Sequence, residues 1–452
     1  MDYTPFFSAD VPSFLRSPVR EIFRKVDLNA ICSFAGGYPA AVTFPMADLP
    51  GLMERVLAKY GTKALQYGAT QGVPELREAL AARYGVPVSQ VQITTSSQQG
   101  IDVCSRILLN PGDIVLAHNP VYLGALQSFR AYRAEVVEIS EGKGVFSGTV
   151  ASRPLPSFAL RAKVGPSLLS GRGWPEVPEK TPSPSPEKTE APSLAPRGKS
   201  TPSASPDAPS VIPSERSGGE ESHTPKFIYV IPDFNNPSGE TMTLEEREKI
   251  VQMARELNVL IVEDSPYREL RYSGDPLPTI RELAPERTLH LGSFSKIFAP
   301  GFRLGGIIGP EELLEQIFVC KQCLDLCPPV LDQYLAAEFL RSGALDRNLV
   351  KTIAEYRRRR DLMLGLLEKY MPEGVAWTHP DGGLFLWLTL PETIDTVALY
   401  DEALAQGVAY VAGSFFYTDG SHRNTMRLNF SFVEEAKMEP GIRLLGELLR
   451  GK

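Results

Sequence analysis

Lys296 has the surroundings that most favour chemistry in this sequence. It lies in the stretch SFSKIFAPGFRLGG, after a short apolar run, with Ser293 and Ser295 before it and Arg303 seven residues after it. Burial lowers the pKa of a lysine because the charged ammonium loses its hydration, and a neutral amine is a nucleophile. The stretch therefore predicts a reactive lysine, although most isolated lysines are solvated surface residues.

A carboxylate and a serine-rich turn follow two other apolar runs. Asp264 comes at the end of the run LIVED in LIVEDSPY, and the turn SSQQG follows residues 91–95. A buried carboxylate needs a cation or hydrogen-bond donors, whereas free N–H groups at the start of a helix suit a phosphate. Both have ordinary alternatives: a turn cap before Pro266 for Asp264, and an N-cap for the serines.

The elements that must position these groups are short β-branched or apolar runs that alternate with helical stretches. That alternation predicts an α/β fold with a largely parallel sheet, in which ligands bind beyond the carboxyl ends of the strands. We expect a large domain with a seven-stranded, mostly parallel sheet between helices. Its predicted strands are residues 91–95, 114–118, 135–139, 227–231, 260–263, 288–292 and 305–308.

The chain is predicted to have three parts around that sheet. Residues 46–310 are expected to form the large domain that contains this sheet, residues 311–452 a smaller α+β domain, and residues 1–45 an N-terminal arm and part of the small domain. An insertion at about 141–225 interrupts the large domain. It is rich in Pro, Ser, Glu and Lys and lacks the apolar residues that offset ordering entropy, so we expect it to be disordered.

The composition excludes several classes of protein. The net charge of -7 is spread along the 452 residues, which favours small-molecule ligands over nucleic acid or membrane. No signal sequence or long apolar run is visible, so a cytoplasmic location is expected. The sparse cysteines predict free thiols, and neither the cysteines of VCKQCLDLC nor the scattered histidines have the spacing of a metal site.

Motifs in a fixed order along the chain resemble those of the class I and II aminotransferases, which have an aspartate aminotransferase type of fold (pyridoxal phosphate fold type I). The resemblance covers nearly everything except the insertion. Within that family, SFLRSPVREIF and SFAGGYPAAVTFP resemble the branch of the α-aminoadipate and kynurenine aminotransferases. The motifs are SSQQG, NPVY, PDFNNPSG, EDSPY, SFSK, GFRLG and MRLNF.

The resemblance implies a role for each matching residue, with pyridoxal 5'-phosphate as the cofactor. Lys296 holds the cofactor as a Schiff base and moves the substrate proton, and Asp264 keeps the ring nitrogen protonated. Tyr122 stacks on the ring, while Asn236 and Tyr267 hydrogen-bond its phenolic oxygen. The residues implied to bind the phosphate are Ser97, Gln98, Ser293, Ser295 and Arg303.

Further residues are implied to bind the substrate or to act across subunits. Arg427 grips the α-carboxylate with its planar guanidinium, Asn236 also lies at the substrate, and Gly37 belongs to a loop that covers it. Tyr67, in LQYGATQG, reaches the cofactor phosphate of a neighbouring subunit, which implies a homodimer with shared active sites. Arg20, in SPVREIF, meets the distal carboxylate of an acidic donor or lies against an aromatic one; an exposed arginine is the equal alternative.

The implied function is transamination between an α-amino acid and a 2-oxo acid, expected to be 2-oxoglutarate. Another pyridoxal phosphate reaction, such as that of a β-lyase or a decarboxylase, is the alternative on the same scaffold. A sensory domain of a transcription regulator is disfavoured, because the roughly 40 residues before the first motif lack a helix-turn-helix pattern. The amino donor does not follow from the sequence, since side-chain pockets discriminate by only a few kcal/mol.

Overall fold

The strands of the protein fall into one large sheet and two smaller ones. The computed structural model describes residues 3, 6–8, 11, 14, 31–139 and 225–452. In chain order the strands are β1 (Cys32–Ser33), β2 (Val91–Thr94), β3 (Ile114–Ala117), β4 (Glu135–Glu138), β5 (Pro225–Val230), β6 (Leu260–Asp264), β7 (Thr288–Ser293), β8 (Gly305–Ile308), β9 (Ala376–Trp377), β10 (Phe385–Thr389), β11 (Val408–Ala409), β12 (Val411–Ala412) and β13 (Thr425–Asn429).

Helices follow most of these strands. The α-helices are α1 (Leu49–Tyr60), α2 (Pro74–Tyr84), α3 (Ser96–Leu108), α4 (Leu123–Ala131), α5 (Leu244–Glu256), α6 (Ile280–Leu283), α7 (Glu311–Gln322), α8 (Val330–Arg341), α9 (Ala344–Tyr370), α10 (Thr396–Ala405) and α11 (Glu435–Arg450). Short 3-10 turns lie at Ala41–Thr43, Gly61–Leu65, Val88–Gln90, Pro300–Phe302 and Gly413–Phe416.

The large sheet has the spatial order β2-β8-β7-β6-β5-β3-β4. Its neighbours are parallel except for β8, which is antiparallel to both β2 and β7. The register pairs Asp264 of β6 with Leu291 of β7, and Ser293 of β7 with Gly305 of β8. Residues from distant parts of the sequence therefore end at the same edge of the sheet.

Apolar side chains cover both faces of this sheet. On β3 and β5, alternate residues belong to different buried clusters: Val115 and Phe227 lie in one, and Leu116 and Ile228 lie in the other. Successive side chains of a strand point to opposite faces, so the unbroken apolar runs in the sequence reflect burial on both sides.

In the smaller sheets, a strand from near residue 32 and strands from residues 376–429 lie close together. Strands β12, β13, β10 and β9 form an antiparallel sheet in that order, in which Arg427 lies opposite Trp387. Strand β1 pairs in parallel with β11, and the N–H of Phe34 donates to the carbonyl of Ala409. The segment after β1 is thereby held beside β13, which carries Arg427.

The fold class predicted from the sequence is confirmed. Each predicted run of the large sheet is a strand, with ends that differ by at most two residues from those expected. The division at residues 45 and 310 stays a prediction; helices α7 and α8, which follow residue 310, pack against α3 and α2. Nearly all of the predicted insertion, as well as Arg20, lies outside the described residues.

Two kinds of feature are absent from the part of the chain that the structure describes. None of its helices is long and apolar enough to cross a membrane. Among the same residues, no group of three or more His, Cys, Asp or Glu side chains is arranged to hold a metal ion.

Candidate active site

A cavity of about 680 Å³ lies at the carboxyl edge of the large sheet. It is lined by nearly all of the residues predicted to form the site, although they come from separate motifs. These lining residues are Gly37, Ser97, Gln98, Tyr122, Asn236, Asp264, Tyr267, Ser293, Ser295, Lys296, Arg303 and Arg427.

Lys296 lies in the turn after β7, and its side chain is partly accessible from the cavity. Its Nζ atom donates a hydrogen bond of 2.7 Å to the carbonyl oxygen of Gly37. Burial, together with the positive charges of Arg427 and Arg303, lowers the pKa of Lys296 to about 8. At pH 7 about a tenth of this amine is therefore neutral, and hence nucleophilic.

Asp264 ends β6 and is fully buried. Its Oδ2 atom accepts a hydrogen bond of 2.9 Å from the hydroxyl of Tyr229, whereas its Oδ1 atom has no partner among the described residues. Burial raises the pKa of Asp264 to about 7, against the opposing effects of Tyr229, His290 and Ser97. An unpartnered buried carboxylate oxygen at a cavity wall suits a ligand that carries an N–H donor.

Asn236, Tyr267 and Arg427 form a hydrogen-bonded chain across the cavity. The Nδ2 atom of Asn236 donates to the Tyr267 hydroxyl at 3.3 Å, and its Oδ1 atom accepts from Nη1 of Arg427 at 2.7 Å. The Nη2 atom of Arg427 donates to the carbonyl oxygen of Ala35 at 2.6 Å. The chain fixes the amide orientation of Asn236, which presents its N–H group towards Tyr267.

The guanidinium of Arg427 is held between aromatic rings. Its central carbon lies 4.5 Å from the ring centre of Phe385 and 5.3 Å from that of Phe416. Burial lowers the pKa of Arg427 to about 10, which still leaves the group charged at neutral pH. The Nε atom has no hydrogen-bond partner in the described structure and remains available to an anion.

The turn between β2 and α3 also lines the cavity. Ser96, the first residue of α3, has a φ of 72°, and its hydroxyl accepts a hydrogen bond of 2.7 Å from Nη2 of Arg303. Arg303 also has a left-handed backbone, with a φ of 50°. The start of a helix beside a guanidinium is a site for a phosphate or another anion.

Gln98 and Tyr122 contact each other on the wall of the cavity. The Tyr122 hydroxyl donates to Oε1 of Gln98 at 3.2 Å, and Nε2 of Gln98 donates to the carbonyl oxygen of Gly124 at 3.0 Å. The amide side chain of Gln98 therefore fixes the start of α4 relative to α3. Its backbone N–H in the first turn of α3 is the group that suits an anion.

Sequence reasoning missed Ser96 and Tyr229. Ser96 belongs to the turn SSQQG, but nothing in the sequence shows that its hydroxyl, rather than that of Ser97, meets Arg303. Tyr229 is the polar member of the run FIYV in β5, which is a weak signal. Its proximity to Asp264 depends on the register of β5 and β6, which pairs Tyr229 with Val262.

Tyr67 does not line this cavity in its own chain. Its side chain is 81% exposed, and it lies in the segment after the 3-10 turn Gly61–Leu65. The role of Tyr67 in the active site of a neighbouring subunit therefore stays a prediction. The predicted role of Arg20 falls outside the described residues.

Known proteins resemble this chain along its whole length. A profile of the family "Aminotransferase class I and II" matches residues 46–145 and 219–445. Aromatic-amino-acid aminotransferase 1 of Thermococcus litoralis is 37% identical over 457 residues, with 100% of this chain and 95% of that protein covered. The 2-aminoadipate transaminase of Thermus thermophilus is 32% identical over 440 residues, with 96% and 94% covered.

The same likeness is found among solved structures. Kynurenine aminotransferase of Pyrococcus horikoshii, solved in complex with PMP, has a TM-score of 0.78 and 34% identity to this chain, with 100% of this chain and 98% of that chain covered. The chain therefore belongs to the class I and II aminotransferases, as its motifs predict, and is a pyridoxal phosphate-dependent enzyme that transfers amino groups.

Proposed function

We propose that this enzyme transfers the amino group of an α-amino acid to 2-oxoglutarate, with Lys296 as the residue that binds the cofactor and moves the proton. The observation that carries the proposal is the buried amine of Lys296, whose pKa is lowered to about 8. The same cavity contains Asp264, with an unpartnered oxygen, and Arg427, with an unpartnered Nε.

The residues present fit pyridoxal phosphate at both ends. The Oδ1 atom of Asp264 would accept from a protonated ring nitrogen, since it lacks a partner in the described structure. The start of α3, with Ser96 and Arg303, would bind the phosphate. When bound, this cofactor supplies an aldehyde that combines with amines and a ring that accepts the electrons of the substrate carbon.

Two further contacts would orient the ring. Asn236 and Tyr267 already share a hydrogen bond, so their polar atoms can act together on a phenolic oxygen. Tyr122 lies at the start of α4, where its hydroxyl is tied to Gln98, and its ring can pack against the cofactor face.

Lys296 would accept and return the substrate proton once its amine is released. A neutral Nζ atom is needed to accept a proton, and the lowered pKa makes that form accessible at neutral pH. Its Nζ atom contacts the carbonyl oxygen of Gly37, in the loop that is proposed to cover the substrate. One lysine can therefore serve both binding of the cofactor and transfer of the proton.

Arg427 would bind the α-carboxylate that amino acids and 2-oxo acids share. Its position between Phe385 and Phe416 fixes the guanidinium plane, and its hydrogen bonds to Asn236 and Ala35 leave Nε available. The link from Arg427 through Asn236 to Tyr267 would couple substrate binding to the cofactor ring.

We also propose that the enzyme is a homodimer in which Tyr67 completes the phosphate site of the neighbouring subunit. The exposure of Tyr67, and that of Leu65 close to it, supports an interface at this surface. Exposed aromatic and aliphatic side chains that lie close together commonly mark protein contacts.

The names of the relatives suggest which donors to test. They are described as acting on aromatic amino acids, 2-aminoadipate and kynurenine. We propose a donor with an aromatic or a long acidic side chain. Among the described residues that line the cavity, the cations are Lys296, Arg303 and Arg427, and each already has a proposed partner, so a distal carboxylate requires a further group.

A half reaction tests the proposed function. The loaded enzyme, mixed with a donor in the absence of a 2-oxo acid, should convert its cofactor to the amino form and release one equivalent of 2-oxo acid. Adding 2-oxoglutarate should restore the original spectrum. Lys296→Ala should abolish turnover, whereas Lys249→Ala, at an exposed lysine of α5 that forms an ion pair with Glu245, should not. Release of carbon dioxide or of a β-substituent, without formation of the amino form, would refute transamination.

A further inference from the structure

Lys321, near the end of α7, is a buried charge to which the proposed mechanism gives no role. Its side chain is 0% exposed. Its Nζ atom donates to both carboxylate oxygens of Asp325, at 2.9 and 3.0 Å, and to Oε1 of Gln99 at 2.9 Å. Removing an ammonium and a carboxylate from water is costly, so such a pair needs additional hydrogen bonds.

These three residues also hold the turn that begins α3. The Oε1 atom of Gln99 accepts from the backbone N–H of Thr95 at 2.8 Å, and Nε2 of Gln99 donates to Asp325 at 2.7 Å. The Thr95 hydroxyl donates to the same Asp325 oxygen at 3.1 Å. Both the backbone and the side chain of Thr95 are therefore fixed by groups that meet at Lys321.

The residue after Thr95 adopts a backbone conformation that needs such support. Ser96 has a φ of 72°, which costs a residue with a side chain about 1 kcal/mol or more unless its surroundings hold it. Its carbonyl accepts from the Thr94 hydroxyl at 3.0 Å, and its own hydroxyl accepts from Arg303 at 2.7 Å. Ser96 thus follows directly after Thr95, which Lys321, Asp325 and Gln99 hold, and its own hydroxyl contacts Arg303.

We propose that Lys321, Asp325 and Gln99 are positioning residues that hold Thr95, so that Ser96 and the first N–H groups of α3 face the cofactor phosphate. This inference rests on the proposed phosphate site at Ser96 and Arg303. The cluster stabilises the turn before the cofactor arrives, so binding does not have to order it. A group that is already in place binds more tightly than one that must be ordered on binding.

This role differs from ordinary support of the fold in one measurable way. If these residues only stabilised the protein, substituting them would weaken binding of a ligand with a phosphate and of the same ligand without it equally. If they position the turn, substituting them weakens binding of the ligand with the phosphate selectively. Pyridoxal has the same ring and lacks the phosphate, and the reversible closure of its free hydroxymethyl group onto the aldehyde affects every variant alike.

The test measures equilibrium binding of both compounds to the cofactor-free enzyme. Lys321→Met removes the ammonium, and Gln99→Met removes the amide while it retains the Lys321–Asp325 pair. Each should weaken binding of pyridoxal phosphate about ten-fold or more, with pyridoxal affected by less than about two-fold. The matched controls, Lys249→Met and Gln252→Met, alter exposed side chains of α5 and should change neither value.

Thermal unfolding of each cofactor-free variant accompanies the binding measurement. If Lys321→Met does not fold because Asp325 is left unpaired, Gln99→Met alone decides the outcome. An equal loss for both compounds, or no loss for either, overturns the positioning role. If the unaltered enzyme binds the two compounds equally well, the proposed phosphate site itself is wrong, which is a different result from failure of the cluster.

Discussion

Asp264 shows a conflict between stability and catalysis within one residue. Tyr229 satisfies its Oδ2 atom, but Oδ1 is buried without a partner among the described residues. Burial raises the pKa of the carboxyl to about 7. The ionised form is therefore unfavourable in the cofactor-free protein, and it becomes favourable only when a cationic ring nitrogen lies against it.

Asp264→Asn should make the cofactor-free protein more stable at pH 8 while it reduces turnover by orders of magnitude. The folded-state pKa of about 7 lies above the usual value of 3.8, so this group stabilises the fold below pH 4 and loses that contribution as the pH rises through 7. We expect the variant to gain roughly 1–3 kcal/mol at pH 8 and almost nothing at pH 4. Denaturant unfolding at both pH values measures this, and an equal effect at the two would contradict it.

Arg20 is predicted to select among donors, whereas Arg427 is proposed to bind the carboxylate common to all of them. Arg20→Ala should weaken acidic or aromatic donors by roughly 1.5–3 kcal/mol and small aliphatic donors less, if a charge-assisted hydrogen bond is lost. Arg427→Ala should weaken all donors alike. Values of kcat/KM for aminoadipate, glutamate, kynurenine and leucine decide the matter. A uniform loss, or none, with Arg20→Ala removes its selective role.

The sequence predicted which residues line the cavity better than it predicted which hydrogen bonds those residues form. Lys296 and Asp264 could be found because each comes directly after an apolar run, and the carboxyl ends of such runs meet in a parallel sheet. Tyr229 could not be found in this way, because its hydrogen bond to Asp264 depends on the register in which β5 pairs with β6. Ser96 could not be identified as the partner of Arg303 either, since both have left-handed backbones that side-chain types do not specify.

At the scale of elements, the contact between β8 and the start of α3 requires a glycine. A Cβ atom at Gly305 would lie 2.7 Å from the carbonyl oxygen of Gly292, 2.7 Å from the carbonyl carbon of Ser96 and 2.9 Å from its Cα. None of these backbone atoms can move without disturbing a strand or the turn. The proposed anion site at Ser96 therefore depends on the absence of a side chain at Gly305 in β8.

Gly305→Ala should destabilise the protein by roughly 1–3 kcal/mol and weaken binding of pyridoxal phosphate, because Ser96 is pushed away from Arg303. Gly301→Ala, in the same motif, is the matched control: no described atom lies within 4 Å of its added Cβ, and its φ is not positive. Unfolding free energies and cofactor titrations of both variants provide the comparison. Equal effects at the two positions would show that the close approach is unimportant.

The elements themselves were largely predictable, but their pairing was less so. Strands β2 to β8 arise from short apolar runs, which the sequence shows directly. The antiparallel direction of β8 against β2 and β7 was not predicted. The direction of β8 depends on how the chain turns back after Lys296, through the 3-10 turn Pro300–Phe302 and Arg303. The sequence pattern of a strand does not indicate in which direction the strand runs.

At the scale of the whole molecule, the proposed dimer predicts complementation between two defective chains. In a mixed dimer of Lys296→Ala and Tyr67→Ala subunits, one site has an intact lysine and receives an intact tyrosine from its partner. An equal mixture should therefore recover about a quarter of normal activity when assayed at limiting cofactor, because half of the dimers are mixed and each has one complete site. Activity no higher than the average of the two parents would show that Tyr67 acts in its own chain or not at all.

The positions of β4 and β5 in the large sheet set a minimum number of residues for the connection between them. Strands β5, β3 and β4 are adjacent and parallel, so the chain must return from the carboxyl end of β4 to the amino end of β5 across β3. That path covers about 20 Å along the strands and about 10 Å across them, which takes on the order of 10 residues or more.

Deleting residues 150–223 and inserting about four Gly or Ser residues should leave cofactor binding and turnover within about two-fold of normal. Residues 140–149 and 224 remain, so the shortened connection still exceeds the length required, and loop length alone changes closure entropy little.

Deleting residues 141–224 without a linker leaves a connection too short to cross β3, and β5 should then fail to pair. Pyridoxal phosphate titration and thermal unfolding of both variants measure these outcomes. Loss of folding in the first variant would show that residues 150–223 support the sheet, and normal folding of the second would refute the path inferred for the connection.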